Sequence, residues 1–114
     1  LLLSADDGSY EKKKLPAIVQ YGPSLNLLIE DINGDGHLDI LGAGNIYNAE
    51  VETVRYDASK GYILLGDGQG DFEKSLNMGL SGNVKHIKMV DIQKQKRLLV
   101  VKNGDSAEIL KTII

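Results

Sequence analysis

Shifted by sixty residues, this sequence meets its own apolar frame. Asp31-Ile32-Asn33-Gly34-Asp35-Gly36-His37-Leu38-Asp39-Ile40-Leu41 falls on Asp91-Ile92-Gln93-Lys94-Gln95-Lys96-Arg97-Leu98-Leu99-Val100-Val101 without a gap. Upstream, Leu27 and Ile29 fall on Ile87 and Met89. A second match is offset by about sixty-two: Leu1 to Tyr10 lies on Ile63 to Phe72, each reading as apolar strand, Gly/Asp turn, then an aromatic. Self-similarity at a fixed spacing marks units that stack to share a core. Three portions result: a strand-turn-strand tail over 1–20, a complete unit over 24–78 and a degenerate unit over 83–114.

Each unit reads as short antiparallel strands. Leu25, Leu27 and Ile29 alternate with Asn26, Leu28 and Glu30, the period-two signal of a strand with a strongly buried face. Leu38 to Leu41 is a second short apolar strand. Tyr62 to Leu65 and Phe72 to Leu76 form a hairpin around Gly66-Asp67-Gly68-Gln69-Gly70, where glycine supplies positive φ. Strands are predicted near 84–90, 97–102 and 106–113, with a short helix the alternative for the last. Thirteen glycines against two prolines fit many turns, and with one Phe and no Trp the core is built from Leu, Ile and Val. The stretch 45–61 has no clean period. It reads as a surface excursion, with function the alternative, and Arg55, Tyr56 and Asp57 serve either a partner contact or a local salt bridge.

The acidic loop carries the chemistry. Calcium takes six to eight oxygens, and a short loop supplies them when side-chain oxygens recur every second residue. Asp31, Asn33, Asp35 and Asp39 stand at positions one, three, five and nine, and the His37 carbonyl at seven completes the set. Gly36 allows the sharp bend. All donors are oxygens, which favours calcium and, less well, magnesium, with the His37 imidazole turned to solvent. The loop is not an EF-hand: Gly42 stands where a bidentate Glu belongs, and both flanks read as strands. In the third unit only Asp91 of the set survives, among Lys94, Lys96 and Arg97, so that unit is expected to be empty. Gly66 to Phe72 faintly echoes a calcium nonapeptide, but a hairpin turn is the better reading.

Together, the Asp-x-Asn-Gly-Asp-Gly-x-x-Asp loop and the following Leu64-Leu65-Gly66-Asp67-Gly68-Gln69-Gly70-Asp71-Phe72 resemble the FG-GAP/VCBS repeat of integrin α-subunit propellers and bacterial exported proteins. The resemblance implies an all-β fold of antiparallel, four-stranded, blade-like units of β-propeller type, about two blades' worth. It also implies calcium held by Asp31, Asn33, Asp35, Asp39 and the His37 carbonyl. Two blades do not close a propeller. The chain is then a fragment of a longer one, or closes as a small sandwich or through a second chain. The N-terminal hairpin completing the C-terminal unit is one such closure, and a strand-exchange dimer is another.

Several functions are excluded or disfavoured. A formal charge of −3 from 13 basic and 16 acidic residues gives no footing for nucleic acid. Without cysteine there is no thiol catalysis, zinc-thiolate site or disulfide. No apolar run approaches the roughly 18–20 residues of a membrane helix. No serine lies in a nucleophile elbow, and no glycine-rich loop opens a helix to cradle phosphate. His86 reads as structural. The expectation is a non-enzymatic calcium-binding structural and interaction module of an exported bacterial protein, extracellular, on the cell surface or periplasmic, meeting a protein or glycan partner. The alternative is a scaffold propeller segment of a larger polysaccharide- or ester-processing enzyme.

Overall fold

The computed structural model describes residues 1–44 and 60–111; most of the 45–61 excursion, with Arg55, Tyr56 and Asp57, lies outside the described residues. The fold is all-β and antiparallel; the described residues form three sheets, none of which closes on itself. β1 (Leu2–Ser4) pairs with β2 (Tyr10–Lys12) as a hairpin. β3 (Asn26–Glu30), β4 (Asp39–Ala43), β5 (Tyr62–Leu65) and β6 (Lys74–Asn77) form a four-stranded meander in chain order. β7 (Val84–Ile92), β8 (Gln95–Lys102) and β9 (Glu108–Lys111) form a third sheet, so the final segment is a strand. A 3-10 turn at Ala17–Gln20 bridges the first two sheets. Among the described residues no helix is long and apolar enough to cross a membrane.

Burial on both sides of the central sheet explains its sequence. β4 is buried along its whole length, and its side chains alternate between two cores. Leu41 and Ala43 join Leu80, Val84, Ile87, Leu98 and Val100 in a core shared with the C-terminal sheet. Ile40 faces the other way, with Tyr62 and Leu64, under Leu15, Ile18, Val19 and Phe72. A strand sandwiched in this way reads as a continuous apolar run. Gly42 is required at its centre, because any side chain there would run into the Tyr62 ring, whose hydroxyl lies 2.9 Å from that of Ser24.

Side chains stitch the two large sheets together. The Asn26 Oδ1 accepts a hydrogen bond from the Ile87 backbone N–H at 3.1 Å. Glu30 stands opposite Asp39 in the β3–β4 register, a like-charge pair, and Lys96 meets Glu30 at 3.0 Å. The buried stem of Lys102 reaches Glu108 at 2.7 Å. β7 turns into β8 through Gln93 and Lys94, both at positive φ, a tight hairpin at the positions that the sixty-residue offset sets against Asn33 and Gly34.

Three expectations are corrected. The face of β3 carrying Leu27 and Ile29 is exposed, as is Leu25 just before the strand, while Leu28 packs against the shared core. Leu38 is also exposed, and the second strand begins one residue later, at Asp39. The N-terminal hairpin does not complete the C-terminal sheet: among the described residues β1 and β2 pair only with each other, and Leu3 lies over Gly70 in the β5–β6 turn.

Candidate metal centre

The loop between β3 and β4 is curled by its own carboxylates. Asp31 Oδ1 accepts from the backbone N–H of Gly34 at 2.8 Å and of Asp35 at 3.2 Å, and Oδ2 accepts from Gly36 at 2.9 Å. Asn33 Oδ1 accepts from Asp35 N–H at 3.2 Å, and Asp35 Oδ1 from His37 N–H at 2.9 Å. The Asn33 amide donates to Asp35 Oδ2 at 3.1 Å. Gly34 and Gly36 take φ of 75° and 86°, conformations in which other residues are strained. The curl is therefore written into oxygen and glycine spacing alone. The His37 N–H bond, the largest influence, holds the Asp35 carboxyl below its ordinary value.

Asp39 differs from its loop companions. It is fully buried, and its two oxygens each accept one backbone bond at 2.9 Å, from Ile32 at the loop's start and from Gly66 at the end of β5. The carboxylate thus fastens the acidic loop to the β5–β6 turn. Nothing in the sequence pointed to this bond, which joins residues brought together only by β4–β5 pairing.

That turn is the second acidic loop. Asp67 Oδ1 accepts from Gln69 N–H at 2.7 Å and from Asp71 N–H at 3.1 Å. The capture of Asp71 delays the following strand, which begins at Lys74 rather than Phe72. Lys13 reaches Asp71 at 3.1 Å and ties the N-terminal hairpin to the same place. The imidazole of His37 is exposed, as the solvent-facing reading requires, but it also lies against Gly68, where a side chain would strike it. A cleft of about 480 Å³ opens between the loops, lined by Asn33, Asp35, His37, Asp67, Asp71, Glu73 and Lys74.

The donor set suits a hard cation in kind: every candidate side chain offers oxygen, and most of these oxygens keep a lone pair beyond their bonds to backbone amides. Among the described residues, no three carboxylate or imidazole side chains gather into a ready cage. Asp31, Asn33 and Asp35 lie on the curled segment, and Asp39 lies beneath it. His86, on β7, is exposed and away from this loop. Compared with known protein families, curated proteins and solved structures, the chain matches none.

The second loop gives a pH prediction. Hydrogen bonds from Gln69 first, then Asp71, lower the Asp67 carboxyl below its ordinary 3.8. A depressed acid lends stability above its unfolded value, and that contribution fades as pH falls through the folded one. An NMR titration should place the Asp67 midpoint below 3.8. A midpoint at or above that value would mean that the turn is not held by this carboxylate.

Proposed function

We propose that this chain is a calcium-binding, non-catalytic structural and interaction module built from blade-like units of FG-GAP/VCBS type. Calcium braces the corner between β3 and β4, and the surrounding loops meet a protein or glycan partner outside the cell or in the periplasm. One observation carries the reading: a loop with Asp31, Asn33 and Asp35 at alternate positions, already curled on its own amides, joins the first two strands of a four-stranded meander. The sixty-residue offset supports the unit reading, because it carries β3 into β7 and β4 onto the end of β8. Asp31, Asn33 and Asp35 would hold the ion with the His37 carbonyl. Asp39 would reach it with the lone pairs that its bonds to Ile32 and Gly66 leave free. The ion supplies positive charge that offsets the repulsion among carboxylates crowded on one loop.

The test is the melting temperature in calcium, magnesium and chelator. A ligand specific to the folded chain stabilises it by about 2.7 kcal/mol at roughly a hundred times its dissociation constant. Calcium should therefore raise the melting temperature with the logarithm of its concentration, and magnesium less. Asp35→Ala should remove most of the rise, and Asp91→Ala should leave it intact. A melting temperature indifferent to saturating calcium removes the reading.

A further inference from the structure

We propose that Asn103, in the turn between β8 and β9, is a site of spontaneous deamidation to aspartate and isoaspartate. The chain's other Asn-Gly pair, Asn33-Gly34, is held from the same reaction by the hydrogen bonds of its loop. Neither claim depends on calcium, since both concern the metal-free chain. The reaction needs an asparagine followed by a residue whose amide nitrogen is unhindered. That nitrogen gives up its proton to hydroxide and attacks the asparagine Cγ. The new N–C bond closes a five-membered succinimide, and the side-chain nitrogen leaves as ammonia with a proton from water. A second water opens the ring at either carbonyl, giving aspartate or, with one more carbon in the main chain, isoaspartate. Glycine is the best successor, because no Cβ shields its nitrogen. The sequence holds Asn-Gly at two places, 33–34 and 103–104.

Backbone shape does not separate the two pairs. Gly34 and Gly104 take φ of 75° and 76°, both are exposed, and beyond their chain neighbours no atom lies within 4 Å of where a Cβ would stand. Hydrogen bonding does separate them. The Gly34 N–H, the nucleophile of the first pair, donates to Asp31 Oδ1 at 2.8 Å. A carboxylate on that N–H disfavours the nitrogen anion that must form. The Asn33 side chain is fixed at both ends: Oδ1 accepts from Asp35 N–H at 3.2 Å, and the amide donates to Asp35 Oδ2 at 3.1 Å. Bringing its Cγ onto the Gly34 nitrogen means releasing this arrangement. Asn103 is exposed and tied only through its main chain, whose N–H donates to the Asn83 carbonyl at 2.9 Å. Among the described residues neither its side chain nor the Gly104 N–H has a hydrogen-bond partner. Asp105, the nearest acid in sequence, is turned to the Ser106 N–H at 2.7 Å rather than to Gly104. Ring opening adds a carboxylate beside Asp105, and isoaspartate inserts a carbon into the connection that brings β9 back onto β8.

The experiment incubates the 114-residue chain in mildly alkaline buffer with chelator, once folded and once in concentrated urea. Peptide mapping by mass spectrometry then follows aspartate and isoaspartate at both pairs. In the folded chain Asn103 should convert about tenfold or more faster than Asn33, the factor that one lost bond to a charged acceptor introduces. In urea the two should convert at similar rates. Asp31→Ala should speed conversion of Asn33 in the folded chain and leave Asn103 unchanged. If that variant does not fold, Asp35→Ala, which frees the Asn33 side chain, carries the same expectation. Equal rates in the folded chain, an Asn103 that stays intact there, or an Asn33 that stays slow in urea would each overturn the assignment. So would an Asn33 rate that the folded variant leaves unmoved.

Discussion

Asp39→Ala is expected to lower the melting temperature by about 15 °C in chelator, where calcium plays no part. The carboxylate is fully buried and accepts one hydrogen bond on each oxygen, from Ile32 and from Gly66. Bonds to a charged acceptor contribute roughly 1.5–3 kcal/mol each, and truncation strands the buried Gly66 N–H and the half-buried Ile32 N–H. A total near 3 kcal/mol follows, at the low end because the loop can relax. Asp39→Asn keeps one accepting oxygen but aims an amide N–H₂ at a second donor, so an intermediate loss is expected. Asp31→Ala removes more hydrogen bonds, yet its donors lie at exposed Gly34, Asp35 and Gly36, where solvent replaces them. Denaturant unfolding in chelator ranks the three. A loss below about 1 kcal/mol for Asp39→Ala would show that this carboxylate is not the clasp between the loops.

What the sequence made legible here is local, and what it hid is tertiary. The curl of residues 31–37 depends on oxygens and glycines within five positions of their partners, so spacing alone was enough to foresee it. The strands at 62–65 and near 84–90 and 97–102 were equally visible from their apolar pattern, but β7 and β8 each run two residues further into a Gln93-Lys94 turn that no glycine marks. The covered face of β3 was not. Leu27, Leu28 and Ile29 put apolar groups on both sides, and only the arrival of β7 over Leu28 decides which side is buried. The anchoring of Asp39 on Gly66 was also hidden, since it requires the β4–β5 register before two distant residues can meet. The N-terminal hairpin misled for a related reason. Two strands and an open edge suggested the C-terminal sheet as their partner, whereas Leu3 packs on Gly70 and Lys13 pairs with Asp71.

Ile87→Ala is the substitution with the largest expected effect. Ile87 is fully buried, at the point where β7 lies on the central sheet, and its backbone N–H bonds to the Asn26 side chain. Deleting a buried isoleucine side chain costs about 2–5 kcal/mol, rising with the cavity left behind. Here the upper half of that range is expected. Both sheets frame the site, and the Asn26 bond to the Ile87 backbone N–H resists a shift of β7 that would close the gap. Ile109→Ala, on the exposed face of β9, should change stability by less than about 0.5 kcal/mol. The pair of variants also asks how the chain folds. Leu41 and Ala43 from the central sheet share one core with Ile87, Leu98 and Val100 from the C-terminal sheet. The two sheets should then melt together, with far- and near-ultraviolet dichroism of Ile87→Ala shifting as a single transition. If instead the melt splits, and the transition reported by the Tyr62 environment stays where it was, the sheets are separate folding units and the shared core contributes little to either.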